Sequence, residues 1–257
     1  MFITLLTFLY GGSIIAQNLS VSYQQIFEST DISLDKRYDL IITDSVSVYI
    51  ETDSKTSEVK KIHDTPDTNT YVLNTVVKTD NNVYYNNREE MVFIETFFGE
   101  ALAIREEKET IQHKWEHIDS TKTIGGFTCK LATTEFRGRK YYAWYTEEIP
   151  TNFGPWKLTN LNGLILQAHD EKNVFTLNAL KINTIPVDQT DSALSLINKT
   201  KQEIKNKKKI FSIAELKVHL DDKNKATLSR IQQQLPRGTK MPALDKDCED
   251  CDGLEIY

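Results

Sequence analysis

His113, Trp115 and His117 alternate along Ile111–Ile118, a segment whose pattern predicts a strand. Residues two apart on a strand share one face at about 6–7 Å, so two imidazoles placed this way can share a metal ion. A third ligand has to come from elsewhere, and Cys129 and His169 have the right chemistry. The competing reading is a polar sheet face with Trp115 packed on it. Cys248 and Cys251 form a CxxC close to the C-terminus. That pair is half of a zinc site, a redox pair, a local disulfide, or a tail with no structural role. Residues 252–257 leave no room for the helix whose dipole activates a redox thiol. Cys129 follows Gly125-Gly126-Phe127-Thr128 and reads as a small buried hydrophobe on a sheet. Glu147 and Glu148 end a strand, where paired carboxylates serve acid–base chemistry or are simply solvated. The sequence contains no GxSxG elbow, no HExxH and no Gly-rich phosphate loop. With no catalytic residues to name and no cofactor implied, the expectation is a protein that is not an enzyme.

Aromatic rings supply the other chemistry. Tyr142 and Trp144 fall on one face of a strand, and Tyr141, Ala143 and Tyr145 fall on the other. Phe153 and Trp156 bracket Gly154-Pro155. Rings on both faces imply that both are covered, or that one lines a cavity. Trp115, Tyr142, Trp144 and Trp156 are therefore candidate ligand-binding residues, suited to a lipid or acyl chain on the concave side of a curved sheet. Ordinary core packing accounts for the same rings.

The elements that hold these residues read as strands. From Ser20 to about Ile185 the apolar period is two, as in Val21-Ser22-Tyr23 and in Tyr38, Leu40, Ile42, Val46, Val48 and Ile50. Tyr71–Lys78 and Val83–Tyr85 are further β-rich pieces, and Asn86-Asn87 is a turn before Met91–Phe98. Phe127–Phe136 and Arg139–Thr146 form a hairpin about Arg137-Gly138. Leu164–His169 and Val174–Asn183 form another pair. About nine or ten short strands with no strand–helix alternation predict a mainly β fold, a curved antiparallel sheet or half-barrel. After Pro186 the pattern becomes helical, over Ser192–Lys209, Ser212–Leu220 and Asn224–Leu235.

The first sixteen residues carry no charge and pass from an apolar run to Gly11-Gly12-Ser13 and Ala16. That is the shape of a secretory signal, too short to span a bilayer. The expected organisation is a signal over 1–16, an antiparallel β domain over 17–189, a helical extension over 190–238 and a tail over 239–257. In a chain of 257 residues a formal charge of −6 argues against nucleic acid as partner, since phosphate binding needs a basic surface. No segment is long and apolar enough to read as membrane-spanning.

Several motifs occur together: Ile124-Gly125-Gly126-Phe127-Thr128-Cys129-Lys130, Phe136-Arg137-Gly138-Arg139, Ala143-Trp144-Tyr145-Thr146, Gly154-Pro155-Trp156-Lys157 and Gly163-Leu164-Ile165-Leu166. In this the chain resembles the GLPGLI family of exported Bacteroidetes proteins. Its naming motif is altered here to Asn160-Leu161-Asn162-Gly163-Leu164-Ile165. The resemblance implies an exported, β-rich protein without established catalytic residues. By analogy of architecture it suggests a half-barrel like that of the periplasmic lipoprotein carriers. The expectation is then an exported, non-enzymatic cell-envelope protein that holds a hydrophobic ligand or a partner protein of the envelope. The alternative is a periplasmic metal-handling protein that uses His113, His117 and the Cys248/Cys251 pair.

Overall fold

The structure is a computed structural model that describes residues 18–28, 33–52, 82–87, 89–97, 100–107 and 112–234. Its strands, in chain order, are β1 Leu19–Glu28, β2 Ser33–Ile42, β3 Val46–Glu51, β4 Val83–Asn87, β5 Glu90–Phe97, β6 Glu100–Glu107, β7 Glu116–Ile124, β8 Phe127–Phe136, β9 Arg139–Thr146, β10 Leu164–Asp170, β11 Phe175–Thr184 and β12 Ile210–Ser212. Two helices accompany them, α1 Thr190–Lys205 and α2 Ile213–Gln234. The twelve strands form one open sheet in the order β12-β6-β5-β4-β3-β2-β1-β11-β10-β9-β8-β7, so the fold is mainly β and not a closed barrel. Neighbours are antiparallel except β12, which runs parallel to β6.

Period-two patterning becomes two distinct faces. On β1, Val21, Tyr23, Gln25 and Phe27 are buried, while Ser22, Gln24 and Ile26 are half-buried on the opposite side. The first face holds the main core. Tyr38 and Tyr49 stack there with ring centres 4.5 Å apart, and Tyr49, Tyr84 and Phe93 continue the row. Over β8–β11 this face is filled by the segment 150–163, in which Gly154, Pro155, Trp156, Lys157, Leu158, Thr159 and Leu161 are all buried. Leu158 and Leu161 each contribute about 1.5–3 kcal/mol by leaving water. The second face is covered by α1 over β3–β5. Ala193, Ile197 and Ile204, spaced at helical period, pack there on Val48, Val83, Tyr85 and Val92.

The Arg137-Gly138 hairpin has the expected strand limits. Both turn residues take positive φ, 48° and 76°, which matches the twist of the flanking strands. Other expectations change. Residues 112–115 are irregular and β7 begins only at Glu116, so His113 and His117 do not share a strand. The two expected helices after Phe211 are one helix, α2, whose start is fixed reciprocally. Ser212 N–H donates to Glu215 Oε2 (2.9 Å), and Glu215 N–H donates to Ser212 Oγ (3.3 Å). Strands β6 and β12 were not legible in the sequence. Tyr71–Lys78, the 1–16 segment, Cys248 and Cys251 lie outside the described residues. Among the described residues no helix is long and apolar enough to cross a membrane.

Candidate functional site

The histidines go to different places. His113 is buried, with its ring edge-on to Phe136 at 4.8 Å and tilted against Trp115 at 5.5 Å. Its Nε2–H donates to Lys157 O at 2.7 Å, which ties the irregular 112–115 lead-in to the filling segment. Burial pushes its pKa down to about 4, so near neutral pH it is an uncharged packing residue. His117 lies exposed on β7, its Nδ1 hydrogen-bonded to the Tyr145 hydroxyl at 3.1 Å. Among the described residues no group of three or more His, Cys, Asp or Glu side chains is placed to hold a metal ion.

Cys129 is fully buried, and burial raises its thiol pKa, opposite to what a nucleophile needs. Glu147 pairs with Lys130 at 2.6 Å, and the Glu148 carboxylate accepts from Thr128 N–H at 2.7 Å. Beside them, at the β7 edge, a cavity of about 250 Å³ is lined by His117, Ile118, Lys130, Tyr145 and Glu147. It opens where the β7–β8 register shifts between Ile118 and Thr121.

The four aromatic candidates divide by face. Trp156 belongs to the filled face, packed on Phe136, Tyr141 and Phe175 with ring centres 6.2, 5.8 and 4.7 Å away. Trp115 joins it there and donates its indole N–H to Thr159 O at 2.8 Å. Tyr142 and Trp144 point to the other side and are half-buried. The four rings therefore do not surround one hollow. On the filled side the rings pack on each other.

On the second face, from β7 to β2, the register aligns side chains that are remote in sequence. Trp144 lies opposite Gln167, Gln167 opposite Asn178, Asn178 opposite Gln24, and Gln24 opposite Arg37. This row crosses five strands, about 19 Å at the usual strand spacing. A second row beside it carries Tyr142, His169, Thr176, Ile26 and Asp35. Gln167 Nε2 donates to Asn178 Oδ1 at 2.9 Å, and Gln24 Nε2 donates to both Asp35 oxygens at 2.9 Å. Tyr142 stacks on His169 with centres 5.3 Å apart and planes 15° apart. Lys122 reaches in from β7, with its ammonium 4.2 Å above the Trp144 ring and donating to Gln167 Oε1. Every member of these rows is half-buried or exposed, although the Arg37 Nη1 atom is itself buried. Rings flanked by amides, hydroxyls and charges bind ligands that are both apolar on their faces and polar at their rims.

Alternation could have assigned Gln167, His169 and Asn178 to one face. Their alignment could not be read, because the β9–β10 register shifts between Ile165 and Gln167. Lys122 depends likewise on the β7 shift, which sets it opposite Cys129.

Compared with known proteins, residues 33–207 match the family model described as N-glycanase peptide, N-terminal domain. Two solved structures of PNGF-II, in C2 and P21 space groups, are similar at 18% and 17% identity, each with a TM-score of 0.48. Both matches cover 77% of this chain and 31% of the other, so the chain spans about a third of their length. No curated protein matches. The GLPGLI resemblance is overturned by the family match. Its motifs fail as family evidence for a physical reason. Arg137-Gly138 is a generic hairpin turn, and Gly154-Pro155-Trp156 and Gly163-Leu164-Ile165 serve close packing under an antiparallel sheet.

Proposed function

We propose that this chain, which belongs to the family of N-glycanase peptide N-terminal domains, is an exported, non-enzymatic recognition module for glycans carried on proteins. The observation that carries the reading is the half-buried row Trp144-Gln167-Asn178-Gln24 with Tyr142 and His169 beside it. A pyranose offers C–H faces to stack on rings and hydroxyls to bond amides, and this face presents both kinds of partner along one line. The filled first face supports a surface-mediated role over an enclosed lipid site. Export is supported by the uncharged, apolar first sixteen residues.

The test is biolayer interferometry of the purified chain against a sialylated serum glycoprotein and its fully deglycosylated form. Binding to the glycosylated form alone, with its glycans recovered intact, is the expected result. Equal response to both forms, or to neither, refutes glycan recognition. Glycan release during incubation refutes the non-enzymatic half.

A further inference from the structure

The Lys122 ammonium is oddly served. It lies over the Trp144 ring and bonds Gln167 Oε1, and among the described residues no carboxylate forms an ion pair with it. Desolvation pushes its pKa down, as expected for a cation held on a ring without a counter-charge. It covers one face of the indole, and a sugar stacking on that face displaces it. A neutral sugar that takes that face displaces the ammonium and offers it only neutral hydroxyl acceptors in return. A sugar bearing a carboxylate would receive the displaced ammonium in a charge-assisted hydrogen bond.

The charges around the rows give the site a direction. At the aromatic end stand Lys122 and Lys140, the latter 5.6 Å above the Tyr142 ring, with Glu135 opposite Lys140 on β8. At the far end Asp35 and Asp39 flank Arg37, holding Gln24 and, at 2.7 Å, the Ser22 hydroxyl. The first end carries two ammonium groups against one carboxylate, while at the far end Arg37 and Lys181, the latter opposite Ser22, balance the two aspartates, so a carboxylate is drawn to the first end. Between them lie amides and hydroxyls suited to neutral sugars. Resting on the glycan reading above, we infer that this face binds acidic glycans, with the carboxylate-bearing sugar stacked on Trp144 and its charge met by Lys122.

The test uses the glycoprotein in three forms: sialylated, desialylated and fully deglycosylated. Wild-type chain is expected to bind the sialylated form about tenfold more tightly than the desialylated one, equivalent to about 1.4 kcal/mol. Lys122→Met keeps the aliphatic stem and should erase that gap, while Lys122→Arg should keep it. Trp144→Ala should weaken both glycosylated forms. Equal binding to sialylated and desialylated forms, with loss on full deglycosylation, overturns the acidic-glycan inference and leaves glycan recognition standing. A gap that survives Lys122→Met also overturns it. Indifference to all three forms overturns both.

Discussion

Lys157 is buried completely, yet it carries an ammonium in the middle of the filling segment. Its Nζ sits 3.1 Å from Glu95 Oε1 on β5 and 4.2 Å from the Phe93 ring centre. At an effective dielectric of about 20, unit charges at that separation attract by about 5 kcal/mol. Desolvation offsets much of this, so the informative quantity is the cost of stranding one partner, about 3–5 kcal/mol. The Tyr84 hydroxyl donates to Glu95 Oε1 at 2.5 Å, so the stranded carboxylate is still hydrogen-bonded and the lower end applies. Lys157→Met should therefore destabilise the chain by about 3 kcal/mol. Lys157→Met with Glu95→Gln removes the unpaired charge and should recover about half of that. Urea unfolding at neutral pH measures both, read as a change in midpoint at constant slope. A loss below about 1 kcal/mol in the single variant, or a double variant no more stable than the single, refutes the claim that this ion pair anchors the segment.

Three further outcomes follow from the same geometry. His113 has its folded pKa near 4, below the ordinary 6.5, so the unfolded chain takes up the proton first as pH falls. Its contribution is complete above about pH 6.5 and is lost toward pH 4, at up to about 1.4 kcal/mol per unit. His113→Phe should flatten that part of the stability–pH curve, and unfolding midpoints at several pH values would expose identical slopes if the reasoning is wrong. At Gly154, an added Cβ would lie 1.9 Å from Leu158 O, so Gly154→Ala should lower stability by about 1–3 kcal/mol, and an unchanged melting temperature would contradict this. Cys129 should stay unlabelled by a thiol reagent in the native chain and become labelled in denaturant, as peptide mapping will show.

The fold was legible where local chemistry dictates it. Alternation gave most of the strands, β6 and β12 excepted, and Arg137-Gly138 gave the β8–β9 hairpin with its limits. The separation of Tyr142 and Trp144 from Tyr141 and Tyr145 also followed from period two. What failed was non-local. The strand expected over Ile111–Ile118 does not form at His113 because that side chain bonds Lys157 O, 44 residues away. The apolar run Leu164-Ile165-Leu166 is buried throughout, and the register shift at its last residue, Leu166, sets Gln167 opposite Trp144. No local pattern encodes such a shift, so the ring–amide row became visible only once β1, β2, β10 and β11 were paired. Trp156 was grouped with Tyr142 and Trp144 by residue type, although its φ of 53° and its packing place it on the opposite side.

The chain has three tryptophans, and the structure assigns them different surroundings. Trp144 lies on the half-buried row, Trp115 is bonded to Thr159 O, and Trp156 is in the core. Their three indole N–H signals make one nitrogen-15 NMR titration with sialyllactose decisive. Glycan recognition on the second face predicts that the Trp144 indole and the Gln167, Asn178 and Gln24 amide signals move together while Trp115 and Trp156 stay still. Movement confined to Trp115 or Trp156, or no movement at any of the three, would contradict it.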